Sequence, residues 1–592
     1  MEGNSTLHNK ICIFKGSIKL LFEASRYYTI FIFILSILRA LVAPLSAIAY
    51  KQFLDSVVKI VEEGPGRLYC LNMLLMMAIL RLLSFFFSGL LNYFNQVFCD
   101  KLDIYITDKV LNKASLLAME TFDKAEVYNH INRAVTQTSS SCIHLLRSLS
   151  ESIYSLVKGI SFIYIIQKLS WLLVVISLIS LFPLLYISTR MNEYWYKIFY
   201  NRVEKKRLID YLKKLMVKNE YVKEIKLYGT AIKISSYVKN SFLEFFREDL
   251  SARKKFLTTR VSVQSIDEGI TLIVKLWVLI LGLKEKSSIG TIMLYFNSLD
   301  NLKFSYSELI DQFSTLQNSL LYMESLNILT QEKECDSGGV DMFDSQFDEI
   351  EFRNVSFRYP GCKDYVLKNI SLKLKRGETY FIVGFNGSGK TTLIKLLLRL
   401  YTPTEGEIFM GGKPIDEINL KDYYLHFSAV FQDFIKYPFD VYENVAIRSQ
   451  GEDKKRFDTV LDFVGMREFV DTLPKKEHTL LMRDWTGGMD VSQGQWQKLA
   501  IARSIFNDSI ITILDEPFSS LDAESERHII SNLRKAGPGK LTIYVTHRFS
   551  SISPSDNIIV MKDGRIEEEG THHYLMMNKG IYYTLYSSQK MD

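Results

Sequence analysis

The sequence predicts a multidomain chain, an all-α half with six membrane-spanning helices followed by a cytosolic α/β half built on a phosphate-binding loop. Three observations predict it. The first 329 residues hold apolar stretches long enough to cross a bilayer, the residues from 350 onward alternate strand-like and helix-like runs, and GFNGSGKTT stands between a strand and a helix. At 592 residues the chain exceeds one hydrophobic core, so it must divide. Its 47% hydrophobic and 23% charged residues exclude disordered and low-complexity classes. A mean hydropathy of +0.04 suits a membrane half joined to a soluble half. The net charge of +6 is small for this length, and no nucleic acid partner is implied. Cys12, Cys70, Cys99, Cys142, Cys335 and Cys362 are scattered, with no CxxC pair, and read as reduced structural residues.

Residues 1–26 carry Lys10, Lys15, Lys19 and Arg26 but no cleavable apolar core, and read as a retained cytosolic elbow. The first span is Tyr28 to Tyr50, 23 residues of mostly Ile, Leu, Phe and Ala, enough at 1.5 Å per residue to cross a hydrocarbon layer about 30 Å thick. Leu71 to Leu91 and a stretch within Ser170 to Ser188 are two more. Ile153 to Ile166 and Ile270 to Leu283 are shorter and each contains a lysine, and Ile289 to Leu302 is weak by hydropathy. An even number of crossings puts both termini in the cytosol, and six fits. Arg190 to Arg260 contains 18 Lys and Arg, so this long connection, and with it Cys99 to Ser141, faces the cytosol. Both connections show helical spacing of apolar residues.

Residues 27–329 therefore form the expected membrane domain and residues 330–349, acidic and aperiodic, a linker. Residues 350–592 form the second domain, opening with strand-like IEFRNVSF, LKNISLKL and TYFIVGF.

The loop Gly384 to Thr392 follows the apolar run TYFIV and precedes LIKLLLRL, the context a Walker A loop needs. Gly384, Asn386, Gly387, Ser388 and Gly389 let backbone N–H groups wrap phosphate oxygens, and the following helix offers its positive end from Lys390 through Thr391 and Thr392. Lys390 can reach the β and γ phosphates, and Thr391 can ligate Mg²⁺. A second apolar strand, SIITILDEP, ends in Asp515, placed to hold magnesium, and Glu516, placed to polarise an attacking water. A carboxylate pair at a strand end is as a rule surface charge. Next to a Walker A loop it reads as catalytic.

Between these elements lies VSQGQWQKLAIARSIF, and here the chain resembles the ATP-binding cassette transporters: Ser492, Gln493, Gly494 and Gln495 match their signature motif, with Gln493 where glycine is usual and Val491 where leucine is common. Further matches are Tyr359 in FRYP, implied to stack on adenine; Gln432 in VFQDF, the Q-loop and a third metal position; Asp522 in SSLD, the D-loop; and His547 in VTHR, the switch histidine. Alone, Tyr359 would read as a strand aromatic and His547 as a core histidine. Their order in the set reverses both readings.

The resemblance covers nearly the whole chain and implies a half-transporter of the type IV exporter fold in a bacterial cytoplasmic membrane. It implies ATP and Mg²⁺, a homodimer with two composite sites, and coupling helices around Phe122 to Tyr128 and Tyr221 to Gly229. The stretches around Trp496 and FQDFIKYPFDVYENVAI are similar to those of bacterial exporters of lantibiotic and bacteriocin peptides, which implies ATP-driven export of a modified peptide. With no peptidase domain ahead of the first span, leader removal is expected of another protein. The alternatives are a lipid or multidrug exporter and, from another class, a nucleotide-gated channel or regulator. Arg39, Arg81, Lys158 and Lys275 fall within spans, which predicts a basic cavity suited to an anionic or zwitterionic amphiphile unless Asp267 or Glu268 pairs with them or they snorkel to the interface.

Overall fold

The computed structural model describes residues 2–590 apart from 64–65, 333, 336–338, 340, 450, 537–538 and 550–551, so part of the expected linker lies outside the described residues. The chain forms two compact units, Met1–Ser115 with Asn129–Gln331, and Leu116–Tyr128 with Glu332–Asp592.

The first unit is helical: α1 (Glu2–Glu63), α2 (Arg67–Ser115), α4 (Ala125–Ile166), α5 (Trp171–Ile179), α6 (Leu181–Val217), α7 (Asn219–Leu227), α8 (Ala231–Lys284) and α9 (Ile289–Gln331). The short helix α3 (Met119–Asp123) groups with the second unit. Within α1 the backbone leaves helical geometry at Ser25 (φ −169°, ψ 107°), so an elbow ends there and the apolar span begins. Serines inside the spans return their hydroxyls to carbonyls four residues back, Ser36 to Ile32 and Ser298 to Leu294, which satisfies them without water. Phe162, Ile166, Leu173, Val274, Val278, Leu299 and Leu302 pack α4, α5, α8 and α9 into one core.

Four stretches are long and apolar enough to cross a membrane by length and composition: Cys12–Glu62, Arg67–Ser115, Ser141–Ile166 and Trp171–Trp195. The two remaining expected spans lie on α8 and α9. Their charges, which dilute hydropathy, are paired between the helices: Lys275 with Asp300 at 2.7 Å, and Lys303 with Asp267 at 2.7 Å and Glu268 at 2.8 Å. Arg39 is likewise paired, with Glu151 of α4 at 3.0 Å, and lies 4.2 Å over the Tyr154 ring. The expected basic lining is thus neutralised at Arg39 and Lys275. The partners differ from those anticipated because helix register puts Asp267 and Glu268 beside Lys303.

The second unit holds two sheets, one of four strands ordered β2-β1-β4-β5 and one of six ordered β10-β9-β3-β8-β7-β6. The strands are β1 (Glu349–Phe357), β2 (Leu367–Lys375), β3 (Thr379–Gly384), β4 (Glu405–Met410), β5 (Lys413–Pro414), β6 (Phe427–Val430), β7 (Ile511–Asp515), β8 (Leu541–Val545), β9 (Asn557–Lys562) and β10 (Arg565–Thr571). In the larger sheet β3 pairs in parallel with β8 and β9, and β7 with β6 and β8. Side chains alternate between two cores: Phe381, Val383, Leu514 and Tyr544 enter one, and Ile382, Ile513, Ile543 and Val545 enter the other. Because the strands are buried on both faces they read as continuous apolar runs. Ile382 pairs with Val545 and Val545 with Asp515, so the loops leaving β3, β7 and β8 emerge side by side. In an open α/β sheet this crest is where ligands bind.

Candidate nucleotide site

The loop leaving β3 turns through Gly384 (φ +150°), Gly387 (φ +78°) and Gly389 (φ +101°) before α10 (Lys390–Leu397) begins. A Cβ on Gly384 would stand 2.1 Å from the Met561 carbonyl oxygen, so no other residue fits. Lys390 is 6% exposed and its ammonium donates to the carbonyls of Gly384 and Phe385, both at 3.0 Å. Burial pulls its pKa down, opposed by Glu516 and Asp515. The hydroxyl of Ser388 is buried with no partner among the described residues, a polar atom that a phosphate oxygen would satisfy. Phe385 and Asn386, exposed, form the outer rim of the loop.

Thr391 donates from its hydroxyl to Asp515 at 3.0 Å, bringing two of the three expected metal positions together. Asp515 is 2% exposed, and burial raises its pKa against the lowering hydrogen bond from Thr391. The third, Gln432, donates its amide to Glu516 at 3.0 Å. His547 Nε2 stands 3.2 Å from the other Glu516 oxygen. Burial and then Lys390 hold His547 below the ordinary imidazole pKa, opposed by the nearby Glu516 carboxylate. Glu516 itself has a left-handed backbone (φ +48°), which turns its side chain away from the line of β7.

Tyr359 bonds Thr392 through its hydroxyl at 3.1 Å and meets Tyr401 edge to face at 5.3 Å between ring centres. Tyr401 in turn donates to Asp123 of α3 at 2.7 Å. This ties α3, the segment expected to couple, to the aromatic expected at adenine.

Ser492 caps the helix Gln493–Phe506 through a capping box with Gln495: each residue's side chain takes the other's backbone N–H. Gly494 lies against the D-loop, where a Cβ would come within 3.0 Å of the Ser520 carbonyl oxygen. Asp522 accepts the N–H groups of Glu524 and Ser525, which lower its pKa, and so starts the helix Ala523–Ala536.

Sequence reasoning missed two residues that organise this region. Gln497, 2% exposed, donates to Ser519 Oγ at 3.1 Å and accepts Ser520 N–H at 2.9 Å, joining the signature helix to the D-loop. Arg548 bonds Glu526 at 2.9 Å and the Ser519 carbonyl at 3.1 Å. Both stand next to motif residues, in SQGQWQ and THR, but nothing local says what they touch.

A phosphate-wrapping loop, a buried carboxylate beside a threonine hydroxyl, and a second carboxylate bonded by an amide and faced by an imidazole make a nucleotide-hydrolysing cassette joined to a membrane-type helical unit. The chain belongs to the ABC transporter family. Residues 367–519 match the family described as ABC transporter. The subtilin transport ATP-binding protein SpaT of Bacillus subtilis is 30% identical over 526 residues, 86% of this chain and 83% of that protein. The nisin transport ATP-binding protein NisT of Lactococcus lactis subsp. lactis is 27% identical over 592 residues, 98% of this chain and 96% of that protein. Among solved structures, a bacterial Atm1-family ABC exporter with ATP bound superposes with a TM-score of 0.80 at 20% identity, covering 95% of this chain and 98% of that one, and so shares the fold. The chain is accordingly a bacterial membrane protein that couples ATP hydrolysis to transport.

Proposed function

We propose that the chain exports a ribosomally made, modified peptide of the lantibiotic type across the cytoplasmic membrane, working as a homodimer by alternating access. The observation that carries the substrate class is the match, over 98% of this chain and 96% of the relative, to a protein named for nisin transport. A subtilin transport protein matching 86% of the chain points the same way.

In the cassette, Gly384 to Thr392 cradle the phosphates, with Lys390 leaving its carbonyl partners for the β and γ phosphates and the Ser388 hydroxyl gaining a partner. Thr391 and Asp515 would offer Mg²⁺ a neutral and a charged oxygen 3.0 Å apart, the hard donors it prefers, and Gln432 is the third expected donor. When bound, Mg²⁺ neutralises developing phosphate charge. Glu516 polarises the attacking water, with the Gln432 amide bonded to one of its oxygens and the His547 ring 3.2 Å from the other. Tyr359 stacks on adenine. Ser492, Gly494 and Gln495 of one copy face the γ phosphate held by the other, and Asp522 lies at the same seam.

Six crossings place both termini in the cytosol, with α3 and α7 as the coupling elements. For α3 the support is its hydrogen bond from Tyr401, and for α7 the exposed Tyr221, Leu227 and Tyr228, which leave an aromatic and aliphatic edge accessible to the partner's cassette. Purified full-length protein in proteoliposomes tests the substrate class: lanthionine-containing precursor peptides should stimulate ATP hydrolysis, while lipid A precursors and hydrophobic dyes should not. Stimulation by lipid or dye alone would replace this reading with a lipid or drug exporter.

A further inference from the structure

The loop that carries His547 is gripped from outside the nucleotide site. We propose that Gln589, in the last turn of the C-terminal helix Ile581–Lys590, is a positioning residue that fixes the switch loop for ATP hydrolysis. The inference rests on the role given above to His547 and Glu516.

The side-chain amide of Gln589 meets the loop with both ends. Its Nε2 donates to the backbone carbonyl of His547, and its Oε1 accepts the N–H of Phe549 at 3.3 Å. Between them, Thr546 and Arg548 are tied to the cassette instead: Thr546 N–H donates to the Ile382 carbonyl of β3 at 3.3 Å, and the Arg548 guanidinium reaches Glu526 and the Ser519 carbonyl. Residues 546 to 549 are therefore held in turn by β3, the C-terminal helix, the D-loop with the helix Ala523–Ala536, and the C-terminal helix again. A planar amide bonded to the carbonyl of one residue and the N–H two residues on fixes both peptide planes that follow His547. That leaves the imidazole aimed at Glu516, 3.2 Å away.

Gln589 can act this way only if its helix is itself fixed, and it is anchored at two further levels. At its start, the Glu568 carboxylate of β10 accepts the N–H groups of Ile581 at 2.5 Å and Tyr582 at 3.0 Å. Along its middle, Tyr582 and Tyr586 meet the Phe549 ring edge to face at 5.4 Å and 5.8 Å, and the Tyr582 hydroxyl bonds His572 at 2.7 Å. Phe549 is thus held by its ring and by its backbone. Gln589 is exposed and makes no core contact, so its amide and not its bulk is what the loop uses.

The test is ATPase kinetics of full-length protein in proteoliposomes for wild type, Gln589→Ala, Gln589→Glu, Ser588→Ala and His547→Ala, with thermal unfolding of each. Gln589→Ala removes both hydrogen bonds to the loop and should lower kcat about fivefold or more, with KM for ATP unchanged. Gln589→Glu keeps the acceptor for Phe549 but places a carboxylate against the His547 carbonyl, so it should do no better than alanine. Ser588→Ala, one residue away with only a helical back-bond to Leu585, should turn over as wild type. Wild-type kcat in Gln589→Ala or Gln589→Glu, or an equal fall in Gln589→Ala and Ser588→Ala, overturns the proposal. If His547→Ala hydrolyses ATP at the wild-type rate, the catalytic reading falls and the clamp with it. A loss in His547→Ala beside an unchanged Gln589→Ala removes the clamp alone.

Discussion

Glu516 takes a hydrogen bond from the Gln432 amide at one carboxylate oxygen and faces the His547 ring at the other, on a backbone that favours neither strand nor helix. Glu516→Gln keeps the shape and removes the base, so it should bind ATP normally while turnover falls by a factor on the order of a hundred or more, measured by nucleotide binding and steady-state hydrolysis on the same preparation. Gly384→Ala acts differently. The added Cβ meets a backbone oxygen that cannot move aside, and we expect loss of nucleotide binding together with a stability loss of about 2 kcal/mol or more, read by denaturant unfolding. His547 gives a pH dependence. Its folded-state pKa is depressed, first by burial and then by Lys390, so the stability from keeping it neutral is intact above a pH of about 6.5 and lost as pH falls through the lower folded value. Between pH values of about 7.5 and 5.5 wild type should lose more thermal stability than His547→Gln, which has nothing to titrate there. At this scale the sequence was most informative for the phosphate loop, because Gly384 to Thr392 carry their geometry in nine consecutive residues. It was silent on Gln497, Arg548 and Gln589, whose partners lie at distances set only by tertiary packing.

Among elements, α3 shows how a chain segment can belong by contact to a unit it does not adjoin in sequence. Its Asp123 carboxylate accepts from Tyr401, whose ring leans on Tyr359, and burial with this carboxylate pushes the Tyr401 hydroxyl pKa well up. Asp123→Ala should leave basal ATP hydrolysis in place and reduce its stimulation by peptide several-fold, since it removes one link of about 1 kcal/mol or more between coupling segment and cassette. Hydrolysis measured with and without peptide separates the two effects. Strands β3, β7 and β8 were legible as uninterrupted apolar runs because both faces are buried. The four strongest spans were legible by hydropathy. α8 and α9 were harder, because charges that lower their hydropathy are cancelled by partners on the neighbouring helix, and no single-segment average registers such a pair.

For the molecule as a whole, composition predicts a membrane half joined to a soluble half, and by contact the chain divides into two compact units. The internal pairing of Arg39 and Lys275 removes the simplest electrostatic route to the cargo, so charge on these two residues does not select an anionic substrate. Substrate class was legible from resemblance over the full length and not from these intramembrane charges. At this scale we propose that nucleotide hydrolysis in the cassette drives a modified peptide through the membrane unit. ATP-dependent accumulation of a lanthionine peptide inside inside-out proteoliposomes measures this directly. Wild-type protein should accumulate the peptide with ATP and Mg²⁺, and Glu516→Gln should accumulate none above the level without nucleotide. Equal peptide entry with and without ATP, or entry sustained by Glu516→Gln, would contradict the account.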